Sequence, residues 1–386
     1  MRKLKIAQIA PIIERVPPRK YGGTERVVSE ITEELVKRGH DVTLFATGDS
    51  RTSAKLSSVY PKSIRQSNLA KTEALDWSMF HIESAYKHND KFDIIHEHNS
   101  TFGVQSANNS KTPTVLTLHG RIRPGTKKLL EQHKNPYYVS ISKDQVKDVN
   151  LKKVTCIPHG INFKGYPFGA EPRGYLLYVG RITKIKGTHI AIEIARELNM
   201  PLIIAAKLDV SDQDYFDKFI KKNLNSKIKW IGEVTTSERN KLMSQALCLI
   251  NPITWREPFG LTMIEAMATG CPVVSFNKGS VPEVIQNGKT GYMARTKNEM
   301  KNAIKKIGKI DRKYTRSFAL ENFSVETMVD RYEELYEKIL NKKDKEKESH
   351  FHIRQIERES TPWNNYPSYV MNYRTDLPHL LKHKDK

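Results

Sequence analysis

Two glutamates stand eight positions apart in the segment Glu257-Pro-Phe-Gly-Leu-Thr-Met-Ile-Glu265, where they could flank a bound phosphate. Glu257 precedes a predicted helix, and Glu265 lies just over one turn inside it. The free N–H groups at a helix start suit a phosphate, and Gly260 allows the backbone to approach a ligand closely. The two carboxylates could then accept hydrogen bonds from the hexose and ribose hydroxyls of a sugar nucleotide. Both acids could instead be ordinary surface residues, because this spacing alone is common.

Two basic residues follow a strand that the sequence predicts over residues 175–179. Arg181 and Lys186 belong to the segment Gly180-Arg-Ile-Thr-Lys-Ile-Lys-Gly187. The carboxyl ends of strands in an α/β sheet face the ligand crevice, so these cations could neutralise a diphosphate. Charge-assisted hydrogen bonds of this kind contribute about 1.5–3 kcal/mol each. The alternative is that both side chains are simply solvated.

Residues of the first half could complete such a site. Gly22 and Gly23 precede a predicted helix that begins with Thr24 and Glu25, and paired glycines there can form a backbone cradle for an anion. This pattern is weak evidence by itself. His119 follows a strand predicted over residues 114–118, where it could hydrogen-bond a transferred sugar or an acceptor. It could also be a structural histidine bonded to the backbone.

No metal site is predicted. His96 and His98 share one face of a predicted strand, but no third ligand is apparent, although one of them could face a ligand cleft. The three cysteines, Cys156, Cys248 and Cys271, are scattered in apolar segments without metal-type spacing. We expect them to be reduced core residues, which favours a cytoplasmic location.

The elements that position these residues form two alternating βα series, which predict an α/β protein with two Rossmann-like, doubly wound parallel sheets. A chain of 386 residues also exceeds what one core usually supports. We expect an N-terminal domain over residues 1–165 and a C-terminal domain over residues 172–340, joined by a segment rich in glycine and proline. Residues 341–386 would be a charged linker and a C-terminal extension of unknown role, which could pack on its own chain or bind a partner.

The individual predicted elements are as follows. In the first half, strands are predicted over 5–10, 42–46, 94–96, 114–118, 137–140 and 154–157, and a helix over 25–38. In the second half, strands are predicted over 175–179, 202–205, 228–231, 247–251 and 273–276, and helices over 189–198, 261–269, 299–309 and 325–340.

The net charge of +21 is spread along the chain and favours anionic ligands, such as sugar nucleotides, anionic lipid surfaces or nucleic acid. No RNA-recognition motif, zinc finger or basic helix with interleaved aromatics accompanies it, so no nucleic-acid partner is expected. No apolar run reaches 18 residues, and we therefore expect no transmembrane helix. The short apolar run near the start is typical of a buried first strand and not of a signal peptide.

Taken together, these motifs resemble those of family 4 glycosyltransferases, over about residues 3–340. The resemblance implies a GT-B fold, in which two Rossmann-like domains face each other across a cleft. It also implies a retaining, metal-independent hexosyltransferase without a cofactor, acting from a nucleotide sugar, most often linked to UDP or GDP. The acceptor would be a hydroxyl of a glycan, a lipid or a small molecule. The segments that carry the resemblance are Glu257 to Glu265 with Phe259-Gly260-Leu261, Gly180-Arg181 with Lys186-Gly187, Gly22-Gly23-Thr24-Glu25, and Ile157-Pro-His-Gly-Ile-Asn162.

The resemblance also implies roles for single residues on the donor side. Arg181 and Lys186 would hold the diphosphate, and Gly23 would approach it from the first domain. Glu257 would contact the hydroxyls of the transferred sugar, and Glu265 would contact the ribose. Four further residues would line the donor site: Gly22, Phe259, Gly260 and Leu261.

On the acceptor side, His119 would lie beside the sugar or the acceptor, with Glu25 nearby. The predicted catalytic residues are His119, Glu257, Arg181 and Lys186. Two alternatives stay open: a sugar-nucleotide epimerase of the same fold, and a non-catalytic protein that binds polyanions or membranes. Peripheral association with the inner face of an anionic membrane could coexist with catalysis if the acceptor is a lipid.

Overall fold

Two parallel β-sheets organise the protein in a computed structural model, which describes the backbone of residues 2–20 and 22–359 and the side chains as far as residue 343. The first sheet has seven strands in the order β3-β2-β1-β4-β5-β6-β7, and the second has six in the order β10-β9-β8-β11-β12-β13. All neighbouring strands pair in parallel. The predicted α/β class with two doubly wound sheets is confirmed.

The strands of the first sheet are β1 (Lys5–Ile9), β2 (Asp41–Phe45), β3 (Lys55–Ser57), β4 (Ile94–Glu97), β5 (Thr114–Leu118), β6 (Tyr137–Ser140) and β7 (Val154–Cys156). Those of the second are β8 (Leu176–Arg181), β9 (Leu202–Lys207), β10 (Ile228–Trp230), β11 (Cys248–Asn251), β12 (Val273–Phe276) and β13 (Gly291–Ala294). Every residue of β4, β5 and β12 is buried, as expected for a parallel strand covered on both faces.

Helices lie around the sheets. In the first half they are α1 (Gly23–Lys37), α2 (Lys71–Tyr86), α3 (Val104–Asn109), α4 (Pro124–Gln132) and α5 (Lys143–Val146). In the second half they are α6 (Thr188–Glu197), α7 (Gln213–Tyr215), α8 (Thr236–Gln245), α9 (Leu261–Ala268), α10 (Val281–Val284), α11 (Lys297–Lys305), α12 (Arg312–Phe323) and α13 (Val325–Glu359). In α1, the apolar residues Val27, Val28, Ile31 and Leu35 are buried and share one face of the helix.

The start of α13 returns to the first sheet, after the chain has completed the second. The Tyr332 hydroxyl lies 3.0 Å from the Thr117 hydroxyl, and the Tyr336 hydroxyl lies 2.6 Å from His96 Nδ1. Arg38 of the first half forms an ion pair with Glu333. The helix predicted over 325–340, the last of the second half, therefore packs against the first domain.

Several elements differ from the predicted ones. The edge strands β3 and β13 were not predicted, because Lys-Leu-Ser has a single apolar residue and the apolar run in Gly-Tyr-Met-Ala is only three residues long. The helix α2 was not predicted either, since its buried residues cluster at its C-terminal end. Residues 341–349, part of the predicted charged linker, continue α13 as a helix rich in lysine and glutamate.

The cysteines, the membrane-spanning potential and the C-terminal aromatic residues were also the subject of expectations. Cys248 and Cys271 are buried and Cys156 is partly buried, and all three are free thiols. Within the described part of the chain, no helix is long and apolar enough to cross a membrane. The aromatic residues of the C-terminal extension, Trp363, Tyr366, Tyr369 and Tyr373, lie outside the described residues, as does Tyr21.

Candidate active site

A cavity of about 390 Å³ lies where the carboxyl ends of the two sheets meet. Its volume falls within the range of small-molecule sites. The structure brings every predicted site residue to its wall, from segments as far apart as the start of α1 and the middle of α9. These residues are Gly22, Gly23, Glu25, His119, Arg181, Lys186, Glu257, Phe259, Gly260, Leu261 and Glu265.

Lys186 and Glu257 form a pair at the centre of the second-domain wall. The Lys186 ammonium donates a hydrogen bond to Glu257 Oε2 at 2.5 Å, and the Trp255 indole N–H donates to the same oxygen at 3.0 Å. The ammonium also lies 5.1 Å from the centre of the Trp255 ring. Glu257 is only 8% exposed, so it is not an ordinary surface acid. Trp255 was not singled out from the sequence, although it stands two positions before Glu257.

Glu265 is 1% exposed and is held by two arginines. Arg26, from α1 of the first domain, forms an ion pair with Glu265 Oε1, and Arg239, from α8, lies 3.0 Å from the same oxygen. The Tyr166 hydroxyl donates to it at 3.4 Å. Neither arginine was predicted as a site residue from the sequence. Arg26 directly follows the predicted Glu25, which was the available signal, whereas nothing near Arg239 pointed to the cavity.

The start of α9 opens into the cavity between the two glutamates. Gly260 is its N-cap, in a left-handed conformation with φ of 88°, and no side chain caps the first turn. A Cβ atom at this position would lie 2.5 Å from Met263 Cε, so the turn favours glycine. Leu261 and Thr262, the first residues of the helix, line the cavity. Backbone N–H groups at such a start can bind an anion.

The first domain approaches this helix start through its paired glycines. A Cβ atom on Gly23 would lie 3.4 Å from Leu261 Cδ1, so the two loops are nearly in contact. A Cβ atom on Gly22 would lie 2.7 Å from Pro18 Cβ, which leaves no room for a side chain. Glu25 in the first turn of α1 is buried, and this burial raises its pKa to about 7, with the nearby Glu14 carboxylate contributing in the same direction.

His119 lies on the first-domain wall, just after β5. Burial lowers its pKa to about 3, so the ring is neutral at pH 7. His98 Nδ1 lies 2.9 Å from its Nε2 atom, and the ring stacks on His159 with centres 5.1 Å apart. His159 in turn packs edge-on against Phe259. His159 was quoted only as part of a family motif, but it lines the cavity as well.

The two histidines of the segment His96-Glu97-His98 do not line the cavity. Both rings are buried, and burial lowers the pKa of each well below the usual value. Burial likewise raises the pKa of Glu97 to about 7. Among the described residues, no group of three or more His, Cys, Asp or Glu side chains is placed to hold a metal ion.

Comparisons with known proteins define the class. Residues 21–164 match the family described as "Glycosyltransferase Family 4", and residues 168–318 match "Glycosyl transferases group 1". The two matches adjoin and together cover most of the chain, one for each sheet. The chain belongs to the family 4 glycosyltransferases, as its motifs predicted.

Individual relatives agree with this assignment. An uncharacterized glycosyltransferase of Methanocaldococcus jannaschii is 26% identical over 339 residues, which cover 75% of this chain and 86% of the relative. The structure of sucrose-phosphate synthase from Thermosynechococcus elongatus superposes with a TM-score of 0.74 at 17% identity, covering 88% of this chain and all of that one. The structure of Anabaena HepE in complex with UDP and glucose superposes with a TM-score of 0.66 at 17% identity, covering 87% of this chain and all of that one. The predicted GT-B fold is confirmed.

Proposed function

We propose that this glycosyltransferase moves a hexosyl group from a nucleoside-diphosphate sugar to an acceptor hydroxyl, with retention of configuration and without a metal ion. The observation that carries the proposal is the placement of Lys186, Glu257 and Glu265 around the uncapped start of α9. The diphosphate of such a donor needs a cation and N–H donors, which Lys186 and the helix start supply. The hexose and the ribose carry hydroxyls, which the two carboxylates can bind.

The diphosphate would lie between Lys186, Arg181 and the first N–H groups of α9, with Gly23 opposite. Negative charge grows on the leaving diphosphate as the glycosidic bond breaks, and preorganised cations there lower the barrier. In the structure, Glu257 balances the charge of Lys186. We expect the diphosphate to take over the ammonium, so that the Glu257 carboxylate turns to the sugar hydroxyls. These protein cations would supply the stabilisation that a divalent ion gives elsewhere.

The second carboxylate suits a ribose diol. The ion pairs and the hydrogen bond that hold Glu265 all go to Oε1. Its other oxygen is therefore the atom that we assign to the ribose hydroxyls. Anabaena HepE shares the fold and has been crystallised with UDP and glucose, which supports a nucleotide and a hexose in a cavity of this kind.

The transfer itself needs the acceptor hydroxyl beside the anomeric carbon. In the retaining reaction that the family resemblance implies, the bond from this carbon to the diphosphate breaks and a bond to the acceptor oxygen forms on the same face. The acceptor proton passes to a phosphate oxygen, and the nucleoside diphosphate leaves. The neutral His119 lies on the first-domain wall of the cavity, where it would orient the acceptor hydroxyl. A glycan, a lipid or a small molecule could carry that hydroxyl.

A thermal-shift screen with UDP-, GDP- and ADP-hexoses, in buffer with EDTA, tests the proposal, because a ligand that binds the folded state raises the melting temperature. The donor that stabilises the protein most is then assayed for release of its nucleoside diphosphate, and the anomeric configuration of the product is read by NMR. We expect stabilisation and turnover in EDTA, with retention. If no nucleotide sugar shifts the melting temperature and none is cleaved, the proposal is wrong, and turnover only with added Mg²⁺ or Mn²⁺ contradicts its metal independence.

A further inference from the structure

A chain of buried hydrogen bonds runs from the cavity into the core of the first domain. It begins at His119, whose Nε2 atom lies 2.9 Å from His98 Nδ1. The Nε2 atom of His98 lies 2.7 Å from Gln8 Oε1. The amide nitrogen of Gln8 lies 3.3 Å from His96 Nδ1. All of these side chains except that of His119 are essentially inaccessible to solvent, so their polar atoms must satisfy one another.

The direction of the chain follows from what each atom can do. A neutral imidazole has one N–H donor and one acceptor nitrogen, and burial keeps the pKa values of His98 and His119 well below neutrality. Gln8 Oε1 can only accept, so His98 carries its proton on Nε2 and accepts through Nδ1. The neighbouring nitrogen of His119, Nε2, must then donate. This leaves the Nδ1 atom of His119 with a lone pair.

The inner end of the chain agrees with this direction. The lone pair of His96 Nδ1 accepts mainly from the Tyr336 hydroxyl at 2.6 Å and is shared with the Gln8 amide nitrogen at 3.3 Å. Its Nε2 atom then donates to Thr117 Oγ1 at 2.7 Å. All three histidines of the chain thereby adopt the Nε2–H form, which neutral imidazole side chains intrinsically prefer. If the Gln8 amide were turned around, all three would have to adopt the less favourable Nδ1–H form.

We propose that His98 is a positioning residue that fixes His119 as the Nε2–H tautomer, so that His119 Nδ1 accepts a hydrogen bond from a sugar or acceptor hydroxyl. The Nδ1 atom is buried and has no partner among the described residues, and its ring lines the cavity. Stacking on His159 at an interplanar angle of 22° holds the ring in place. His119 therefore selects a ligand group that can donate, such as a hydroxyl.

The identity of the ligand rests on the proposed function, but the tautomer does not. The first experiment is therefore imidazole ¹⁵N NMR on ligand-free protein labelled at histidine nitrogen, with His119 assigned from a His119→Gln variant. We expect a pyridine-type resonance for Nδ1 of His119 and a pyrrole-type resonance for Nε2. The reverse assignment in the wild-type protein overturns the proposal, whether or not the protein proves to be a transferase.

Variants of His98 then test the positioning role. In His98→Asn, the amide oxygen can stand where Nδ1 stood, so the His119 tautomer and the transfer rate should be largely kept. In His98→Leu, both tautomers should appear, and kcat/KM for the donor should fall about tenfold, as expected for one lost hydrogen bond. His81→Gln is the matched control: this histidine is also buried, but it bonds the Ala10 carbonyl and lies outside the cavity wall.

These variants have distinguishable outcomes. The His81→Gln variant should leave the His119 resonances and kcat/KM unchanged, even if its melting temperature falls. An unchanged His119 tautomer in His98→Leu would overturn the proposal. If the leucine variant does not fold, the wild-type spectrum and the asparagine variant still test the positioning role of His98. Loss of the Nε2–H form of His119 in His98→Asn would also contradict that role.

Discussion

Replacing Lys186 with methionine removes one positive charge from the cavity while keeping most of the length of the side chain. This ammonium lies 2.5 Å from Glu257 Oε2 and beside the Trp255 ring. Two unit charges 4 Å apart interact by about 4 kcal/mol at the effective dielectric of about 20 that suits partly buried sites. The charge of Lys186 is therefore strong enough to matter for an incoming diphosphate.

The expected effect of Lys186→Met on the transfer reaction follows from these magnitudes. One lost charge-assisted contact costs about 1.5–3 kcal/mol, which lowers kcat/KM about 10- to 150-fold. Because charge grows on the diphosphate in the transition state, we expect kcat to fall by more than the donor affinity. The assay is release of nucleoside diphosphate from the donor found by the thermal-shift screen, measured over a range of donor concentrations.

Two further variants separate catalysis from folding. Lys184→Met changes the same residue type in the same turn, but Lys184 is exposed and does not line the cavity, so kcat/KM should stay within about twofold. Lys186→Met also leaves the buried Glu257 carboxylate without its cation. Adding Glu257→Gln should therefore restore the melting temperature without restoring activity. A Lys186→Met enzyme with kcat/KM within about threefold of wild type would contradict a role of Lys186 in stabilising the leaving diphosphate.

Three other substitutions give independent expectations. Arg26→Gln should raise the KM for the donor about tenfold, because it removes the first-domain cation from Glu265, and an unchanged KM in the transfer assay would count against that role. Burial lowers the pKa of His81 to about 4, so its contribution to stability is complete above pH 6.5 and is lost as the pH falls toward 4. In urea unfolding, the wild-type protein should therefore lose about 3 kcal/mol of unfolding free energy over this pH range. The His81→Gln variant should not show this loss. Burial raises the pKa of Glu25 to about 7, so its contribution is complete below pH 4.5 and is lost as the pH rises through 7. Glu25→Gln should therefore be more stable than wild type at pH 8, by up to about 3 kcal/mol in urea unfolding, and equal stability would contradict the pKa.

Much of the fold could be read from the sequence because parallel strands covered on both faces are continuous apolar runs. The strands β4, β5 and β12 are fully buried, and each was predicted close to its observed bounds. The edge strand β3 is largely exposed, so its residues carry no apolar signal. The length of α13 was also missed, since a run of lysine and glutamate is equally compatible with a solvated linker.

Those site residues could be predicted that stand at the end of a strand or at the start of a helix. Arg181 and His119 end or follow strands, and Gly260 begins a helix, so local pattern was enough to place them at the cavity. Contacts between distant segments could not be read in this way. The ion pair from Arg26 to Glu265 depends on how the two domains pack, and the contact from His98 to His119 depends on strand register.

The most direct test of the central claim is a crystal structure of the protein with the nucleoside diphosphate of its best donor. We predict that the diphosphate oxygens lie within hydrogen-bond distance of Lys186 Nζ and the first N–H groups of α9, with the ribose hydroxyls against Glu265. A nucleotide bound elsewhere, or one whose diphosphate faces away from Lys186, would contradict it.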